Sequence, residues 1–162
     1  MRTFATMAAL ALVLTATVVA PATAANKQRP MQGQFSAAAT PAAQRCGADA
    51  LTLGFEISGV ATHFGVVSGS GTNCTEFSLA TSAVAIWDGE LTLAAADGST
   101  LMTVSNGTQG APVAGVAVFV TTHTVTDGTG RFEGAAGVWT VSGTIDFTTG
   151  TINGQVSGWL SY

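Results

Sequence analysis

The chain has little charge. Five lysines and arginines and nine aspartates and glutamates are spread over 162 residues, and the basic ones never cluster. Phosphate backbones are held by grouped Lys and Arg, so nucleic acid is not an expected partner. Histidine and cysteine are as scarce, with two of each. His63, His123, Cys46 and Cys74 do not stand at metal-ligand spacing, which argues against a metal site. No nucleophile elbow, phosphate-cradling glycine loop or metalloprotease helix is present. Gly69-Ser70-Gly71 lacks the strand-to-helix setting that activates a serine. No catalytic residue is assigned and no cofactor is expected. Past the first twenty residues, no apolar run approaches the roughly 20 residues that cross a bilayer, so no membrane span is expected.

What the chain does have begins with an export signal. Arg2 supplies a positive start, Met7 to Ala20 is apolar, and Ala22-Thr23-Ala24 has the small-residue pattern of a signal-peptidase site. Residues 1–24 therefore read as a cleaved signal peptide and the remainder as one exported, mildly acidic domain. Two cysteines delivered to an oxidising compartment read as a Cys46–Cys74 disulfide. Closing that loop restricts the unfolded chain by about 3.5 kcal/mol on the loop-entropy model. Residues 25–48, rich in Gln, Pro, Ala and Ser, read as a flexible lead-in with one edge strand near Met31 to Ala37. Residues 49–162 form the folded domain.

That domain reads as strands and turns without a helix. Leu51, Leu53, Phe55 and Ile57 alternate with Thr52, Gly54 and Glu56, the period of a half-buried strand. Val60 to Ser68 is a second run, Ser68 to Asn73 a turn cluster, and Thr75 to Ile86 a third run bent near Ala80 to Ala83. Asp88-Gly89, Asp97-Gly98, Asn106-Gly107, Asp127-Gly128 and Thr149-Gly150 read as further turns. Between them lie Glu90 to Ala96, Thr100 to Ser105, Val113 to Val125, Val138 to Phe147 and Ile152 to Tyr162, giving about eight antiparallel strands. A barrel and a two-sheet sandwich both suit such a series. Glycines inside the strand runs, among them Gly59, Gly115, Gly143, Gly154 and Gly158, favour the sharply curved, closed alternative. The fold class is all-β, a single eight-stranded antiparallel barrel.

The run Gly128-x-Gly130-x-Phe132-x-Gly134-Ala135-x-Gly137, with a terminal hairpin ending Gly158-Trp159-Leu160-Ser161-Tyr162, resembles the glycine signature of the allene oxide cyclase and dirigent barrel group. Ala61-Thr62-His63-Phe64-Gly65 and Ala95 to Leu101 are similar to small exported bacterial proteins of unknown function that share it. The resemblance spans most of Leu51 to Tyr162. It implies an eight-stranded antiparallel barrel with an apolar cavity. Plant members with an activity bind oxylipins or phenoxy radicals without a metal, but their catalytic residues lie outside the signature and have no matching positions here. Fold transfers and function does not.

Each candidate functional residue has a plain structural reading beside the functional one. His63 and His123 read as hydrogen-bonded strand histidines or as cavity acids or bases. Arg131 reads as the partner of Glu133 or Asp146 at the barrel rim, or as a clamp for a ligand carboxylate. Trp139 reads as core or cavity wall; Trp159, opposite the apolar face of its strand, as cavity lining or surface contact. Glu56 is expected in solvent. Asn73-Cys74-Thr75 and Asn106-Gly107-Thr108 match the glycosylation sequon, a pattern short enough to recur by chance. Three functions fit: a non-catalytic exported barrel that binds a small apolar molecule or a partner, a surface-association protein, and a cofactor-independent cyclase, isomerase or stereo-directing protein. The first is preferred because export, low charge and the missing catalytic cluster all agree with it. Oligomeric state is left open.

Overall fold

The computed structural model describes residues 27–79 and 82–162. The signal-peptide expectation lies outside them. Eight strands follow in order: β1 Arg29–Pro41, β2 Leu51–Ala61, β3 Gly65–Ser78, β4 Ala83–Ala95, β5 Thr100–Gly110, β6 Val116–Gly128, β7 Ala136–Asp146 and β8 Thr151–Ser161. A single 3-10 turn, Gly130–Phe132, interrupts the series. Each strand pairs with the next, and β1 closes the ring on β8 through an antiparallel ladder from Arg29↔Leu160 to Ala38↔Thr151. The fold is the expected closed barrel. No helix of the described residues is long and apolar enough to cross a membrane.

The lead-in needs correction. β1 is a full barrel strand of 13 residues bonded on both sides, so the barrel starts at Arg29 rather than at residue 49. The strand was poorly visible because its inward positions are Met31, Gly33, Phe35 and Ala37, two of them nearly without side chain, while glutamines fill the outward ones.

Four expected turns are corrected as well. Ser68 to Asn73 lies inside β3, Asp88-Gly89 inside β4, Asn106-Gly107 inside β5 and Asp127-Gly128 in the last ladder pairs of β6. The strands are 11 to 14 residues long, about twice the usual length, because tilted strands must run the whole wall of a barrel. Asp88, with φ 49°, is part of a β-bulge, where the β4–β5 register slips between Ile86 and Gly89. The hairpin ahead of β6 instead turns at Ala114 and Gly115, with φ 50° and 84°, the double positive φ of a two-residue loop.

The strand glycines answer to the aromatic rings inside. In the ladders Phe35 stands opposite Gly59 and Gly154, Phe55 opposite Gly71, Phe119 opposite Gly143 and Trp139 opposite Gly158. A Cβ at Gly154 would fall 2.6 Å from the Phe35 ring, and one at Gly71 2.7 Å from the Phe55 ring. The Phe35 and Phe55 rings thus lie over neighbours that offer only backbone, an arrangement that both shields the glycine and lets the wall curve. Burial of each ring contributes about 2–3 kcal/mol. One end of the barrel is sealed by Phe64 stacked on Phe132 at 4.7 Å, with Tyr162 edge-on to Phe132 at 5.1 Å, above the buried Leu101 and Leu160.

The disulfide joins Cys46, in the β1–β2 loop, to Cys74 on β3, with an S–S distance of 2.00 Å. The same loop is held by an ion pair between Arg45 and Asp88 and by Gln44, whose amide donates to Ala50 O at 2.5 Å and accepts from Thr52 N at 3.1 Å. Replacing both cysteines by serine is expected to lower stability by about 3.5 kcal/mol, read as a drop in the denaturant midpoint. Gly158→Ala places a Cβ 2.4 Å from Trp139 Cα and from Val138 O; the expected loss is about 3 kcal/mol. The outward Thr140→Ala should stay within about 0.5 kcal/mol in the same titration.

Candidate functional site

All eight strands contribute side chains to one internal cavity of about 110 Å³. Its walls differ in character. β1 and β8 supply Met31, Phe35, Ile152 and Val156 beside one polar residue, Gln34, whereas β3, β5 and β6 supply Asn73, Ser105, Thr121 and His123 on either side of the apolar β4. The result is a greasy chamber with most of its polar groups in the arc from β3 to β6. No Lys, Arg, Asp or Glu of the described residues lines it, and His123 is its one titratable group. Phe64 and Phe132 close one end almost fully buried, and Phe55, Ile145 and Ile152 toward the opposite end are partly buried.

His123 alternates inward along β6 with Ala117, Phe119 and Thr121, as strict period-two patterning requires. It is 6% exposed, and its ring lies parallel to that of the 2% exposed Trp139, with centroids 5.9 Å apart. Thr103 Oγ1 lies 3.3 Å from Nδ1 and Thr121 Oγ1 3.1 Å from Nε2. A neutral imidazole has one N–H donor and one acceptor nitrogen, and the two hydroxyls serve both. Burial without a counter-charge pushes its pKa down from 6.5 to about 4. With both nitrogens engaged by threonines and its pKa lowered, the ring is neutral near pH 7.

The other sequence candidates lie elsewhere. His63 is in the β2–β3 turn with φ 72°, not in a strand. Its Nε2 is 3.0 Å from Pro30 O, and its ring meets Tyr162 edge-on at 5.7 Å. Arg131 sits in the 3-10 turn, which carries its guanidinium toward the β4–β5 connection; its partner is therefore Asp97, at 3.1 Å, in place of the expected Glu133 or Asp146. It also donates to His63 O at 2.7 Å and covers the Phe132 ring. Trp159 pairs with Pro30 and Val138, two outward positions, and faces away from the cavity. Glu56 is exposed, as expected. The cavity thus brings together His123 and Trp139, while His63 and Arg131 help to close the sealed end.

Sequence reading missed Asn73, Ser105 and Phe119 as cavity residues. Even alternation from the buried Val67 through Gly69 and Gly71 would have turned Asn73 inward. The glycine-serine cluster around it, read as a turn, concealed that.

No family model matches the chain, and no curated protein does. Among solved structures, the chain is similar to that titled "Structure of the pterocarpan synthase dirigent protein GePTS1", at 15% identity, with 91% of this chain and 97% of that one covered and a TM-score of 0.51. The fold is a dirigent-like barrel. At this level of identity the likeness concerns architecture alone, so the chemistry of this dirigent-like barrel has to come from its own cavity.

Because His123 binds its proton less readily when folded than when unfolded, acid favours the unfolded chain. Its contribution to stability is intact above about pH 6.5 and is lost as pH falls toward 4, by about 3 kcal/mol in all. His123→Gln should flatten urea midpoints measured between pH 7 and 4. Asp97 and Asp146, whose pKa values are lowered by hydrogen bonds from Ser99 and from Thr148, act only below their ordinary 3.8.

Proposed function

We propose that this chain is an exported binding protein which holds one small, largely apolar molecule inside its barrel, without catalysis. The observation that supports this most directly is the charge-free cavity of about 110 Å³ walled by the His123–Trp139 stack. An apolar hole of about 150 Å³ takes up benzene, so a space of this size suits a single ring. Aromatic walls give such a guest contact area at little entropic loss. The Cys46–Cys74 bond fits an oxidising compartment, in keeping with the leader read at residues 1–24.

A second reading has a specific observation behind it. Likeness to a dirigent protein suggests that the chamber orients a reactive guest and so directs the stereochemistry of its product. Such a role needs shape more than acid-base groups and would place the allene oxide cyclase side of the resemblance further away, since both His123 nitrogens are taken.

Benzene at ten times its Kd is expected to stabilise the protein by about 1.4 kcal/mol, a rise of roughly 4–6 °C in Tm, and to perturb Trp139 fluorescence. Val141→Phe, which fills the chamber, should abolish both effects while the variant keeps a cooperative melt. An unchanged response in that variant would mean that benzene sits on the outer wall and that the chamber is not the site.

A further inference from the structure

Asn73, one of the polar side chains that line the cavity, carries an acceptor that the fold leaves without a partner. Asn73 Oδ1 is buried and has no hydrogen-bond partner, alone among the buried side-chain nitrogen and oxygen atoms of the described residues. A buried acceptor left without a donor is destabilising, and native structures rarely keep one without a use. Its position is built. The β3–β4 register breaks between Thr72 and Cys74, so Asn73 has no partner on β4 and pairs only with Leu53 of β2. The break faces the β4 bulge at Asp88, and such bulges re-aim side chains beside sites. Next along the arc, a Cβ on Gly89 would fall 2.0 Å from Ser105 Oγ, so the missing side chain at Gly89 makes room for that hydroxyl. A further acceptor of the lining, the unprotonated nitrogen of His123, is already engaged by a threonine.

Resting on the binding function argued above, we propose that Asn73 selects the guest: the chamber takes a neutral, single-ring molecule bearing one N–H or O–H donor, which bonds to Asn73 Oδ1. The absence of any cation along the described lining makes a carboxylate guest unfavourable, because a buried anion needs a paired charge. A donor group on the ring instead recovers a hydrogen bond that an all-hydrocarbon ring of equal size leaves unmade. Sites built around a buried acceptor discriminate strongly against analogues that lack the donor.

Aniline and toluene have nearly the same shape, and one carries N–H where the other carries methyl. Calorimetric titration of both into the wild-type protein at pH 7 should show aniline binding more tightly than toluene, although toluene leaves water more readily, and benzoate not binding. In Asn73→Leu the aniline-to-toluene affinity ratio should fall roughly tenfold. A ratio unchanged in the variant, or toluene binding more tightly to the wild type, overturns the role of Asn73 and leaves the apolar binding function standing. Failure of both rings to bind the wild type overturns the two together. Near-UV circular dichroism checks that Asn73→Leu is folded; if it is not, the wild-type order of aniline and toluene decides by itself.

Discussion

A closed ring of eight strands fixes how much side chain can fit inside it, and that limit governs the rest of this structure. Eight strands enclose a space that ordinary core residues nearly fill. Here large rings occupy it, and each is matched across the ladder by a glycine: Phe35 with Gly154, Phe55 with Gly71, Trp139 with Gly158. Were those glycines ordinary residues, the rings would have to swing toward the axis and close the hollow, or the strands would have to part. Flat against the wall, they leave a chamber and still exclude water from it. The glycine content, conspicuous in the sequence, thus serves aromatic packing within the strands as well as the turns between them.

The same limit shapes the electrostatics. A narrow apolar interior penalises any charge that lacks a partner, and the outward positions of β6 and β7 accordingly carry threonine, serine and valine while the inward ones carry the core. His123 is tolerated inside because it stays neutral and both nitrogens find threonine hydroxyls. What the chamber can offer a guest is therefore surface, shape and hydrogen bonding, with little means of moving a proton.

The closed barrel was legible in the sequence because period-two alternation and in-strand glycine both survive without knowledge of register. Inward placement of His123 and Trp139 follows from alternation along β6 and β7, whose mutual ladder keeps an unbroken register. Where the ladder slips, composition misleads: the bulges at Asn73 and Asp88 sit where glycine-rich and Asp-Gly segments imitate turns. β1 was under-read for the opposite reason, since Gly33 and Ala37 dilute its apolar face. His63 and Arg131 drew notice as rare polar side chains, yet their partners, Pro30, Asp97 and the His63 carbonyl, come from segments distant in the chain, and no local pattern connects them.

Holding a chamber open has an energetic consequence that the rest of the chain must offset. At about 24 cal/mol per Å³ of unfilled core, a space of about 110 Å³ forfeits about 2–3 kcal/mol relative to a filled barrel. The Cys46–Cys74 bond contributes about 3.5 kcal/mol by restricting the unfolded chain, close to the same size. It also fixes the β1–β2 loop onto β3 one residue from Asn73, whereas the far end is secured by stacked rings and the Arg131–Asp97 pair. A covalent tie at one end and an aromatic seal at the other let the middle of the barrel remain empty without loss of a defined fold. Emptiness at the centre is thus a property the structure maintains, and a ring bound there would return the dispersion contacts that the hollow lacks.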